Sequence, residues 1–115
     1  MAASGKASLA FIICIKPDPI VTQRVLAAQL ASCLAIDGAE VLIGLSHADP
    51  RIAGFAEPFL VSGRVRLEVL DDRSLYDGWN KAVDRCSASA ISFLGYGDCI
   101  ANPAYYEALE LDGAD

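Results

Sequence analysis

At 115 residues, the chain has room for one compact domain rather than two. With 54% hydrophobic and 21% charged residues it has enough apolar material for a buried core, which excludes intrinsic disorder. Fifteen acidic against nine basic side chains give a net charge of −6, which argues against a non-specific nucleic-acid surface.

Near the N-terminus, "SLAFIICI" (Ser8 to Ile15) is a continuous apolar run that predicts a first strand buried on both faces. Its length is far below the roughly 18 residues a membrane span needs, and "MAASGKAS" lacks the basic-then-apolar layout of a secretory signal. No membrane span and a cytoplasmic location are therefore expected. Pro17 and Pro19 force a loop, after which Val21, Val25, Leu26, Ala28 and Leu30 recur with helical spacing from Ile20 to the Asp37-Gly38 stop. "AEVLIGL" (Ala39 to Leu45) predicts a second buried strand followed by the polar loop "SHADP".

The next segment, "RIAGFAEPFLVSG", contains a glycine and a proline and predicts at most a short or broken helix ending near Gly63. "RVRLEVLDD" alternates Val65, Leu67 and Val69 with charged residues, the period of two expected of a third strand with one wetter face. Ser74 then offers a helix cap with Asp77 in the capping-box position, and Leu75, Trp79, Ala82 and Val83 mark one helical face as the core face. "SAISFLG" predicts a fourth buried strand, and Asn102-Pro103 opens a further helix through "AYYEALEL". Four cysteines without a CxxC spacing read as reduced, mostly buried small hydrophobes.

The alternation of strands and helices predicts an α/β fold: a mostly parallel sheet covered on both faces, in one domain spanning residues 1–115. Ligands of such sheets bind beyond the carboxyl ends of the strands. Those ends carry Lys16, Pro17 and Asp18, then Ser46 and His47, then Asp72 and Arg73, then Tyr96 and Asp98. Arg73 and Lys81 are the nearest cations for a phosphate, whereas Asp72 suits a hydroxyl or a helix cap. Asp98, after two glycines, suits either a hard cation or the cap of the next helix. Tyr96 suits stacking on a ligand at the sheet edge. No dinucleotide fingerprint, P-loop, nucleophile elbow or zinc-protease motif is present.

The segment "DRSLYDGWNKAVDRCSASAISFLGYGD" resembles the pattern D-x-G-I-Y-D-A-M/W-N-K-G-I, followed by a strand and an acidic turn, of family 2 glycosyltransferases with the GT-A fold. The matching positions are Asp72, Leu75, Tyr76, Asp77, Trp79, Asn80, Lys81, Phe93, Leu94, Gly97 and Asp98. The most similar subgroup includes colanic-acid and other surface-polysaccharide transferases. The resemblance implies a Rossmann-like three-layer GT-A sandwich and a nucleotide-diphosphate sugar donor, most readily a UDP-sugar. It also implies a Mg²⁺ or Mn²⁺ ion held at Asp98. Lys16, Pro17, Asp18, Ser46, Asp72, Arg73, Asn80, Lys81 and Tyr96 would then line or organise the donor site.

The chain departs from the family where T-Y-N and an acidic second-strand end are usual, having Lys16-Pro17-Asp18 and Ser46-His47 instead. Family members also continue into an acceptor-binding half with a general base, so the chain is expected to be the donor-binding part of a longer fold. A sheet edge and an apolar face left open in this way would favour a homodimer. The alternative is a non-catalytic Rossmann-like module that binds a nucleotide or a protein. A receiver domain fits less well, because the early acidic pair and a late strand with its lysine are lacking.

Overall fold

In the computed structural model, residues 9–99 are described. They fold as β1 (Leu9–Ile15), α1 (Gln23–Leu34), β2 (Glu40–Leu45), α2 (Pro50–Leu60), β3 (Val65–Val69), α3 (Leu75–Asp84) and β4 (Ala90–Leu94). The strands form a parallel sheet in the order β3-β2-β1-β4. The predicted α/β class, parallel sheet and helices on both faces are thus what the chain adopts. The helix expected after Asn102 lies outside the described residues.

Position in the sheet explains the composition of each strand. β1 and β2 are central, so both of their faces are covered and nearly every residue is buried. One face presents Phe11, Ile13, Val41 and Ile43 to Leu26 and Leu30 of α1 and Ile52 and Ala56 of α2. The other presents Ile12 and Leu42 to Ala82 of α3 and to Leu70. Burying Phe11 alone removes a whole aromatic side chain from water, so truncation to alanine costs about 3–5 kcal/mol. β3 and β4 are the outer strands of the described sheet and are only partly covered. Accordingly β4, expected to be buried, leaves Phe93 41% exposed, and the apolar alternation of β3 fades to an exposed Val69.

The helix between β2 and β3 is better formed than expected. α2 runs 11 residues without a break at Pro58. Its start is well built: Asp49 caps it by accepting the N–H groups of Arg51 and Ile52, and Pro50 occupies the first turn, where its missing N–H costs nothing. α1 begins at a Thr22 cap, three residues after the second of the two prolines.

α3 also turns differently from the expected face. Of the expected core face only Ala82 is fully buried, joined by Gly78 one turn before it, whereas Leu75 is 54% and Val83 38% exposed. The small residues let the helix axis approach the sheet, and Trp79 leans toward the edge to stack on Phe93 with ring centroids 5.0 Å apart. Among the described residues, no helix is long and apolar enough to cross a membrane. All four cysteines are free, Cys33 fully buried and Cys99 exposed. Burial pushes the Cys33 thiol up to about 12.

Candidate functional site

The main cleft opens at the carboxyl ends of β1, β2 and β3, on the α3 side of the sheet. Its volume is about 610 Å³, and Lys16, Ser46, His47, Asp72 and Arg73 stand on its walls above a floor that includes Cys14 and Gly44. Each wall residue follows directly from the strand that delivers it. Lys16 comes immediately after β1, Ser46 after β2, and the Asp71-Asp72-Arg73 turn after β3. The parallel arrangement brings these ends together because all the strands point the same way.

Two glycines shape this cleft. A Cβ on Gly44 would press into the Leu70 side chain, so glycine gives Leu70 room to close over the end of β2. A Cβ on Gly78 would stand 2.9 Å from Asp72 Oδ2, so the missing side chain is the space in which the Asp72 carboxylate sits. Neither glycine was singled out from the sequence, although a glycine inside an apolar strand or an amphipathic helix marks close approach.

Polar capacity in the cleft is left unused. Ser46 Oγ is buried and has no hydrogen-bond partner. An unpaired buried hydroxyl costs about 1–3 kcal/mol. Among the described residues, no hydrogen bond or ion pair is made by the Asp72 carboxylate, the Lys16 ammonium or the Arg73 guanidinium. Cys14 reports the local field: burial first, and then the Asp72 carboxylate, push its thiol up to about 11. It is therefore a neutral wall group at physiological pH rather than a nucleophile.

A shallower depression of about 450 Å³ lies beside the cleft, lined by Pro17, Asp18, Pro19, His47, Asp49 and Arg51. Here Asp18, Asp49 and Arg51 are engaged by the protein's own backbone. Asp18 Oδ1 accepts the Ile20 N–H at 2.9 Å, and Arg51 donates to the carbonyl of Asp18 at 2.7 Å and to that of Val21. Of the three residues expected after β1, Lys16 therefore stands in the main cleft and Pro17 and Asp18 in its neighbour.

The acidic turn after β4 lies outside both. Gln29, fully buried on α1, donates to Gly95 O at 2.7 Å and accepts the Gly97 N–H at 3.1 Å. The Tyr96 hydroxyl accepts the Thr22 N–H at 2.9 Å, so its polar tip closes the start of α1. Asp98 Oδ2 accepts the Gly95 N–H at 3.1 Å, and Asp98 N donates back to Gly95 O at 3.1 Å. Gln29 was not anticipated; its signal is a polar side chain on the buried face formed by Leu26, Leu30 and Cys33.

The remaining expected residues are on α3. Asn80 is exposed and lines neither cavity. Lys81 donates to the Asp71 carbonyl at 3.0 Å and pairs with Asp77 at 3.2 Å. Ser74 caps the helix as expected, accepting the Asp77 N–H at 3.2 Å, but the Asp77 carboxylate reaches back to Arg73 N–H rather than to the cap residue.

Compared with known proteins, the chain matches no family model and no curated sequence.

The fit of a Mg²⁺ or Mn²⁺ ion follows from the donor set. Among the described residues, no group of three or more His, Cys, Asp or Glu side chains comes together that could hold a metal. Asp98 offers one carboxylate, half of it engaged by its own turn. By themselves the described residues supply fewer oxygen ligands than the six or more a hard cation takes, so a Mg²⁺ or Mn²⁺ ion at Asp98 would rely on donor phosphates and water for the rest, and no chemical step is assigned to a metal.

Proposed function

We propose that the chain is a nucleotide-sugar-binding domain of glycosyltransferase type, with the donor held in the cleft formed by Lys16, Ser46, Asp72 and Arg73. The observation that carries this reading is the convergence of four of the nine expected residues on one cleft, where among the described residues their hydroxyl, carboxylate, ammonium and guanidinium make no hydrogen bond or salt bridge. Their chemistry complements a nucleoside diphosphate. Arg73 and Lys16 meet the diphosphate, one as a planar fork and the other as a point charge. Asp72 accepts from ribose hydroxyls, and Ser46 gives and takes a hydrogen bond at the base or ribose. The cleft volume of about 610 Å³ falls in the range of small-molecule sites.

The Asp98 geometry favours a second reading, in which the same cleft binds a nucleotide without metal-assisted transfer. Calorimetric titration of UDP and UDP-sugars, with and without Mn²⁺, separates the two. Metal-enhanced binding of a UDP-sugar, lost on Asp98→Ala, supports the transferase. Metal-independent binding that is lost on Arg73→Ala and kept on Asp98→Ala supports the module. No binding of any nucleotide overturns both.

A further inference from the structure

The turn that delivers Asp72 and Arg73 to the cleft is held from behind. Asp71 has a φ of 53°, a left-handed conformation uncommon outside glycine, which Asp tolerates better than most residues and which neighbouring contacts can fix. Two contacts from α3, tied together by an ion pair within the helix, hold it. Lys81 Nζ donates to the Asp71 carbonyl at 3.0 Å. Asp77 Oδ2 accepts the Arg73 N–H at 2.9 Å. The two side chains pair with each other at 3.2 Å across one helical turn.

Gly78, buried beside this pair, provides the seat for the Asp72 carboxylate. None of the three α3 residues lines the cleft. Their contacts fall on both sides of Asp72, one on the residue before it and one on the residue after it. The peptide segment carrying Asp72 is thus clamped at both ends, with the Asp72 carboxylate against Gly78 and the residue on the wall of the cleft.

We propose that Asp77 and Lys81 are positioning residues, a paired clamp that fixes the left-handed turn and thereby aims Asp72 and Arg73 into the cleft. The ligand in this inference rests on the donor-site reading; the clamp rests on the turn's own geometry. It assigns the Y-D-x-W-N-K block the task of shaping the turn, with Asp77 and Lys81 withheld from the ligand. An isolated exposed ion pair contributes little to stability, so the effect of losing this one falls on the turn and on binding rather than on folding.

The test uses the full chain, ¹⁵N-labelled, as wild type, Lys81→Met, Lys81→Arg and Gly78→Ala. The first readout is the Arg73 amide resonance of the free protein across acidic pH. The charged groups facing Asp77 are Lys81 on its own helix and Arg73 on the turn, and the Arg73 N–H together with the Lys81 ammonium holds the Asp77 carboxyl below its usual range. The Arg73 amide should follow that titration. In Lys81→Met its midpoint should move up toward the ordinary carboxylate value, and in Lys81→Arg it should return most of the way.

The second readout is UDP affinity. Lys81→Met should weaken it by about threefold to tenfold with melting temperature little changed, and Lys81→Arg should recover it. Gly78→Ala should weaken it comparably while leaving the Arg73 titration intact, because it displaces Asp72 and not the clamp. An Arg73 amide that titrates identically in wild type and Lys81→Met overturns the clamp. Failure of the wild type to bind UDP overturns the donor-site reading instead, and the amide titration still decides the clamp.

Discussion

Two acidic turns at the carboxyl edge of the same sheet use their polar atoms in opposite ways. The turn after β4 holds Gly95, Tyr96, Gly97 and Asp98, and its polar atoms are consumed internally by Gln29, Thr22 and its own backbone. The turn after β3 holds Asp71, Asp72 and Arg73. Its backbone is pinned by Asp77 and Lys81, but the side chains of Asp72 and Arg73 are left unpaired toward the cleft. The contrast separates a joint from a site. In a joint the side chains are turned onto the protein's own backbone, whereas in a site the backbone is fixed and the side chains retain capacity for something else.

The largest effect expected from breaking this contrast is at Gln29. Gln29→Leu leaves Gly95 O and Gly97 N without their partner and should destabilise the domain by about 2–4 kcal/mol, measured by urea unfolding. If that loss is below half a kilocalorie per mole, the β4 turn is not the joint described. Next comes Arg73→Ala, which should weaken UDP binding by about tenfold, or about 1.4 kcal/mol, with stability nearly unchanged. Calorimetry and a melting curve on the same sample check both halves.

Ser46→Ala should run in opposite directions on the two scales. Removing a buried unpaired hydroxyl should leave stability unchanged or raise it by up to about 1 kcal/mol, while nucleotide affinity falls. A loss of stability would mean that Ser46 is already satisfied. The smallest effect concerns Cys14. With its thiol pushed up to about 11, only about one molecule in a thousand carries the thiolate at pH 8, so site-resolved alkylation should be slow there and accelerate toward pH 11. Asp72→Asn removes one of the two causes and should shift that profile to lower pH. Burial, the larger cause, remains.

The central elements were legible because their periodicities are strong. β1 and β2 are continuous apolar runs, and being central strands they are what such runs predict. The Ser74 cap and the charged alternation of β3 were equally plain. The outer elements were harder to read. Nothing in "SAISFLG" distinguishes a buried strand from one at the side of the described sheet. The sequence of α3 places Ala82 on the inner face, where it is buried, but does not reveal that Gly78 would be buried there while Leu75 and Val83 are exposed. Close approach, not hydrophobicity, decides that face. For the same reason Pro58 was weighted as a breaker, although a good cap and a proline in the first turn sustain α2 through it.

In the site, the sequence placed polar residues at strand ends but could not say which of them would be spent. Lys16, Ser46, Asp72 and Arg73 share a cleft; Tyr96 and Lys81 are tied to backbone atoms elsewhere, and the Asp98 carboxylate is turned onto its own loop. The deciding partners, Gln29 and Asp71, are a buried amide and a residue with unusual backbone, and neither belongs to a motif.

The most direct measurement is an amide-resonance map of the ¹⁵N-labelled chain titrated with UDP. The account expects shifts concentrated at Lys16, Ser46, Asp72 and Arg73, with Gly95 to Asp98 unmoved. Shifts centred on Gly95 to Asp98, with the cleft unmoved, would contradict it and return the acidic turn to the role of binding site.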